Sequence, residues 1–175
     1  MKNFFLILAV IILVVILETS VLPVCFSKGN IPDLVLVSLV SSVAVFGFQA
    51  VWIWGIIAGF ILDIFSFRKI GTSIFSFAIF SYSISFFSKR LVFGEKIGGF
   101  FFSSIFVVLM TIFNSIWIKL ASFGFKFEKI LNVEALISRE IIWKAAFNII
   151  LFHLLVILMK KQKRKINANN SFSGR

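Results

Sequence analysis

Long apolar runs, broken at short intervals by Gly, Lys, Arg or Asp, dominate the chain, and their lengths suit helices that cross a membrane rather than strands. Phe4 to Leu17, Leu34 to Phe46, Val51 to Leu62 and Phe100 to Phe113 contain no charged residue. A helix needs ~20 residues to cross a hydrocarbon layer about 30 Å thick, and its backbone polar groups must be satisfied internally. Six segments meet this requirement: Phe4 to Leu22, Ile31 to Phe48, Ala50 to Phe65, Ile70 to Phe87, Ile97 to Leu120 and Ile141 to Met159. The expected fold is an all-α integral membrane protein, a six-transmembrane-helix bundle over residues 1–160. A basic, unstructured tail is expected over 161–175, ending in the polar INANNSFSGR.

The stretch from Ile31 to Phe65 is too long for one crossing and holds Gly47-Phe48-Gln49 near its middle, so it is read as a hairpin of two short helices. Undivided, it would leave five spans and put the termini on opposite sides. The start, Met1-Lys2-Asn3 before an apolar run, has the look of a signal peptide. Glu18 to Pro23 reads ETSVLP, however, which offers no small-residue cleavage site, and a retained first helix is expected.

Composition agrees with a lipid solvent: 60% of residues are hydrophobic and 14% charged, against roughly 45–50% and about 25% in soluble domains. The net charge of +11 raises nucleic-acid binding as a possibility, but the cations sit in short runs at the ends of apolar segments. Lys160, Lys161, Lys163, Arg164 and Lys165 are placed to set topology and to meet anionic lipid headgroups. No nucleic-acid partner is expected. Counting Lys and Arg in short loops puts this tail in the cytoplasm with the N-terminus and the loop of Lys89, Arg90 and Lys96. The loops of Lys28, Arg68 and Lys69 then lie outside. Between Ala121 and Glu140 the charges balance, and Phe127, Ile130, Val133 and Ile137 recur at helical spacing, which predicts a short amphipathic helix at the membrane surface.

Catalysis requires paired carboxylates, a metal-ligand cluster or a nucleophile with a base, and no such constellation is visible. No enzyme activity, metal or cofactor is expected. The single histidine, His153, has apolar neighbours and no second ligand one turn away, and the single cysteine, Cys25, excludes an internal disulfide. The 25 Phe match lipid-facing surface. Two carboxylates do fall inside spans, Glu18 and Asp63, and at such depth an ionisable group is costly enough to be a functional candidate. Glu18 lies near a helix end, where reaching the interface is an equal reading. Gly55, Gly59 and Asp63 are spaced four apart on one face, a seam that admits another helix backbone. Within it Asp63 is free to accept from Ser or Asn side chains or to pair with Arg68 or Lys69. Internal packing and reception of a partner helix both remain open. Asn114 and Asn148 are suited to bridging helices.

Several stretches resemble the MreD rod shape-determining family: Leu17-Glu18-Thr19-Ser20-Val21-Leu22-Pro23, Ile31-Pro32-Asp33-Leu34-Val35-Leu36, Gly55-x-x-x-Gly59-Phe60-x-x-Asp63-x-Phe65-Ser66 with Gly71, and Trp143-Lys144-Ala145-Ala146-Phe147-Asn148 before the basic tail. The resemblance covers essentially the whole chain. It adds Pro32, Asp33, Gly71 and Asn148 to Gly55, Gly59, Asp63 and Glu18 as helix-packing or partner-contact candidates. It implies a non-enzymatic subunit of the bacterial elongation machinery in the cytoplasmic membrane, beside the bitopic protein MreC and, indirectly, MreB filaments, RodA and a penicillin-binding transpeptidase. The family also looks distantly like the substrate-binding subunits of energy-coupling-factor vitamin transporters, which supplies an alternative function. Two features weigh against it: Ala9 is the only alanine in the first span, where those subunits carry Ala-x-x-x-Ala, and few polar groups, Glu18, Ser20 and Asp33, converge on the outer side.

Overall fold

The computed structural model describes residues 2–25, 31–90, 97–122 and 139–173, and among these no strand occurs. Helix α1 (Lys2–Ile16) is prolonged by a π-helical turn, Leu17–Val21, and by Leu22–Cys25. Then come α2 (Leu34–Phe46), α3 (Phe48–Phe65), α4 (Thr72–Arg90), α5 (Ile97–Ser122) and α6 (Arg139–Ser173). Four stretches are long and apolar enough to cross a membrane, Ile7–Cys25, Phe48–Phe65, Phe101–Ser122 and Glu140–Arg164, whereas Leu34–Phe46 and Thr72–Phe86 are shorter apolar helices. Of the six spans expected, the described residues thus give six helices with four of spanning length.

The hairpin divides at Gly47, one residue long, with φ +89° and its N–H bonded to the Val43 carbonyl at 2.9 Å. Only glycine reaches that φ without cost, so a single residue both ends α2 and starts α3. Helix α2 is the centre of the bundle and packs on α1, α3, α4 and α6. Val35, Leu36, Val37, Leu39, Val40 and Val43 are all buried there. Its 13 residues measure ~20 Å at 1.5 Å per residue, too short for the bilayer, so its first turn opens inside the protein. Helix α4 is less apolar because it turns Ser73, Ser76 and Ser81 into the core. Outer faces are apolar, as with Ile53, Ile56, Phe60 and Ile64 on α3.

Helix α6 continues through the basic segment to Ser173, where an unstructured tail from residue 161 was expected. Lys, Arg and Gln over 160–165 are good helix formers, so polarity alone does not signal a stop. The amphipathic helix expected between Ala121 and Glu140 falls on 123–138, outside the described residues, as do Lys28 and Lys96 and the side chains of Lys89, Arg90 and Lys165.

Candidate functional site: buried polar clasps at one end of the bundle

Asp63 closes the last turns of α3 and is fully buried. Its Oδ2 accepts from the Gly71 N–H at 2.8 Å, and the Ser73 N–H donates to Oδ1 and Oδ2 at 2.9 and 3.2 Å. The Asp63 carbonyl also accepts from the Arg68 N–H at 3.0 Å. Residues 66–71 therefore fold around this one side chain, with Phe67 at φ 52° and Gly71 at φ 101°. The first N–H groups of a helix have no partner within it and carry the positive end of its dipole, so a carboxylate placed there is favoured. Asp63 thereby caps α4 from α3. The partners foreseen for it, Ser or Asn side chains, Arg68 or Lys69, are replaced by backbone amides. Gly71, singled out by resemblance alone, supplies both the positive φ and one of those amides.

A second clasp holds the start of α2. Glu18 is buried, and its Oε2 accepts from the Val35 N–H at 2.7 Å. The π turn that carries Glu18 has a local cause. Pro23 offers no N–H to the turn before it, and the Thr19 hydroxyl donates to the Val15 carbonyl at 2.8 Å, loosening the regular ladder. The Asp33 N–H donates to Asn148 Oδ1 at 3.0 Å, and Asn148 Nδ2 in turn donates to Thr111 Oγ1 at 3.0 Å. The Asp33 carboxylate pairs with Lys144 Nζ at 2.8 Å and receives Asn114 Nδ2 at 3.4 Å. Buried backbone N–H groups need partners, and Asn148 and Glu18 supply them at Asp33 and Val35. Pro32 is buried beside them and its carbonyl takes the Leu34 N–H at 3.1 Å.

The two seam glycines have different neighbours. A Cβ on Gly59 would stand 2.9 Å from the backbone N and Cα of Ile74 in α4, whereas one on Gly55 would meet the Leu39 side-chain tip in α2 at 3.0 Å. Both sides of the seam are occupied by helices of the same chain. Gly59 permits the close α3–α4 approach that brings the Asp63 carboxylate to the α4 amides.

Glu18, Pro32, Asp33 and Asn148 therefore come together, while Gly59, Asp63 and Gly71 form the neighbouring α3–α4 joint and Gly55 faces Leu39 of α2. Sequence reasoning missed Lys144 and Thr111. The signals were present: Lys144 stands one turn from Asn148, and Thr111 lies three residues before Asn114, so each pair shares a helix face. His153 has a hydrogen-bond partner after all, Ser104 Oγ at 2.9 Å from Nε2, linking α5 to α6. Of the basic group, Lys160 is half-buried and Lys161, Lys163 and Arg164 are exposed, with Lys163 Nζ donating to the Val45 carbonyl at 2.6 Å.

Among the described residues no three His, Cys, Asp or Glu side chains gather to hold a metal ion. Apolar helices, four of spanning length, joined by carboxylates that cap helix starts in the same chain, define a multi-pass helical membrane protein with internal polar fastenings. Within that class the chain belongs to the rod shape-determining protein MreD family, whose model matches residues 1–162. The family is one of shape-determining structural components within the MreBCD system, and no catalytic family is indicated. No curated protein and no solved structure matches the chain, so the likeness to transporter substrate-binding subunits gains no support.

Proposed function

We propose that the chain is a non-enzymatic scaffold subunit of the bacterial cell-wall elongation complex, binding an MreC-like bitopic protein and helping to organise peptidoglycan synthesis. Family membership supports the shape-determining role. The observation that carries the scaffold reading is the state of the intramembrane acids: Glu18, Asp33 and Asp63 all bind donors of their own chain. Acids so engaged are fastenings, and the surface left for a partner helix is the apolar exterior. MreB filaments, RodA and a penicillin-binding transpeptidase are reached indirectly through that partner.

In this reading all six helices belong to the membrane domain, with both termini cytoplasmic. The cations of Lys160, Lys161, Lys163, Arg164 and Lys165 at one end of α6 support that orientation and contact with anionic lipid. Affinity purification of the tagged protein from native membranes in mild detergent tests the proposal. Recovery of an MreC-like single-span protein with cell-wall synthases is the expected result. Recovery of paired ATPases with a transmembrane coupling subunit would replace scaffolding by vitamin uptake.

A further inference from the structure

A cavity of about 460 Å³ lies under α1, between it and α2, α3 and the end of the apolar part of α6. Val10 and Val14 line it from α1, Leu39 and Phe46 from α2, Ala58 from α3 and Met159 from α6. Val10 and Phe46 are exposed, so the cavity is open at the bundle surface. A dry space of this size forfeits the dispersion contacts of its walls, and in a bilayer the neighbouring molecules that restore them are lipids. Its volume lies within the ~300–1,000 Å³ of small-molecule sites. That volume is far below that of a transmembrane helix, ~10–12 Å across and ~30 Å long, and suits a single hydrocarbon chain.

The mouth of the cavity carries fixed positive charge. Lys163 follows Met159 by one turn on the same face of α6, and its ammonium lies 5.9 Å from the Phe46 ring centroid while bonded to the Val45 carbonyl. An ammonium has three donors, so that bond leaves others for an oxyanion. Exposed Arg164 is the next residue on this helix end, and half-buried Lys160 lies one turn before Lys163.

We infer that the groove between α1, α2 and α3 binds one acyl chain of an anionic phospholipid whose headgroup is held by Lys163 and its basic neighbours. The lipid fills the space beneath α1 and joins the first helix to the last. This site stands independently of the scaffold role, since it requires only that the chain be embedded in a membrane.

The test uses the full-length protein in vesicles of phosphatidylcholine and phosphatidylglycerol containing a trace of phosphatidylglycerol with a diazirine in its acyl chain. Photolysis is expected to label peptides carrying Val10, Val14 and Leu39 above those of the outward α6 face at Ile150, Leu154 and Ile157. Unlabelled phosphatidylglycerol should compete and phosphatidylcholine should not. Lys163→Gln should weaken that competition about fivefold, the effect of one cation near an anionic headgroup. Because Lys163 also holds the Val45 carbonyl, Ala50→Trp, placed at an exposed lining position, serves as a second variant that should abolish groove labelling. Even labelling of all outward faces, equal competition by both lipids, or exclusion of label by a second protein copy in the groove would each overturn the inference.

Discussion

Asp63 and Gly59 make the same joint by opposite means, one through acceptor oxygens and the other through absence of a side chain. Removing the carboxylate strands the buried Ser73 N–H and the partly buried Gly71 N–H, and charge-assisted bonds contribute about 1.5–3 kcal/mol each. Asp63→Ala is therefore expected to lower stability by roughly 3 kcal/mol, and Asp63→Asn, which keeps one acceptor oxygen, by about half as much. Reversible unfolding in mixed micelles measures both, and equal losses would show that the bonds do not decide the effect. Gly59→Ala pushes a methyl onto Ile74 backbone that cannot rotate away, for an expected cost of about 1–3 kcal/mol. Gly55→Ala meets only the tip of Leu39 and should cost less than 1 kcal/mol. A reversed order of the two glycine variants in thermal melting would contradict the geometry.

Each helix start inside the bundle needs acceptors from elsewhere, and this explains why α2 is short yet central. Asp33 and Lys144 are both largely buried, with side-chain exposures of 8% and 15%. Lys144→Met leaves the Asp33 charge without its cation and should destabilise by about 3–5 kcal/mol. In a double-mutant cycle with Asp33→Asn, a coupling of about 1–3 kcal/mol is expected, and additive losses would deny the pairing. Gly47→Ala strains the break between α2 and α3, with an expected cost of about 1 kcal/mol. The positions of the helices were legible because apolar runs and the Gly47 break are local signals. The seam glycines and intramembrane acids were legible too, since small residues at fixed spacing and charge in lipid both stand out. What each acid touches was not, because Glu18 meets an amide 17 residues away and Asp33 meets Asn148 across 115. No one-dimensional pattern encodes such pairings, and the functional-looking Asp63 turned out to bind the amides of the next helix.

At the scale of the molecule, buried carboxylates, an ion pair and close glycine contacts tie α1 to α2, α2 to α5 and α6, and α3 to α4. Among the described residues the outward helix faces are largely apolar. On the proposed function, these acids fasten the bundle and leave the partner to the apolar exterior. The most direct measurement is capture of the MreC-like protein by tagged Glu18→Gln and Asp63→Asn variants, scored beside the thermal stability of each variant in the same detergent. Capture should follow the folded fraction, returning to the unsubstituted level at temperatures where a variant is fully folded. A variant that melts like the unsubstituted protein yet loses its partner would contradict the account and make that acid a contact residue.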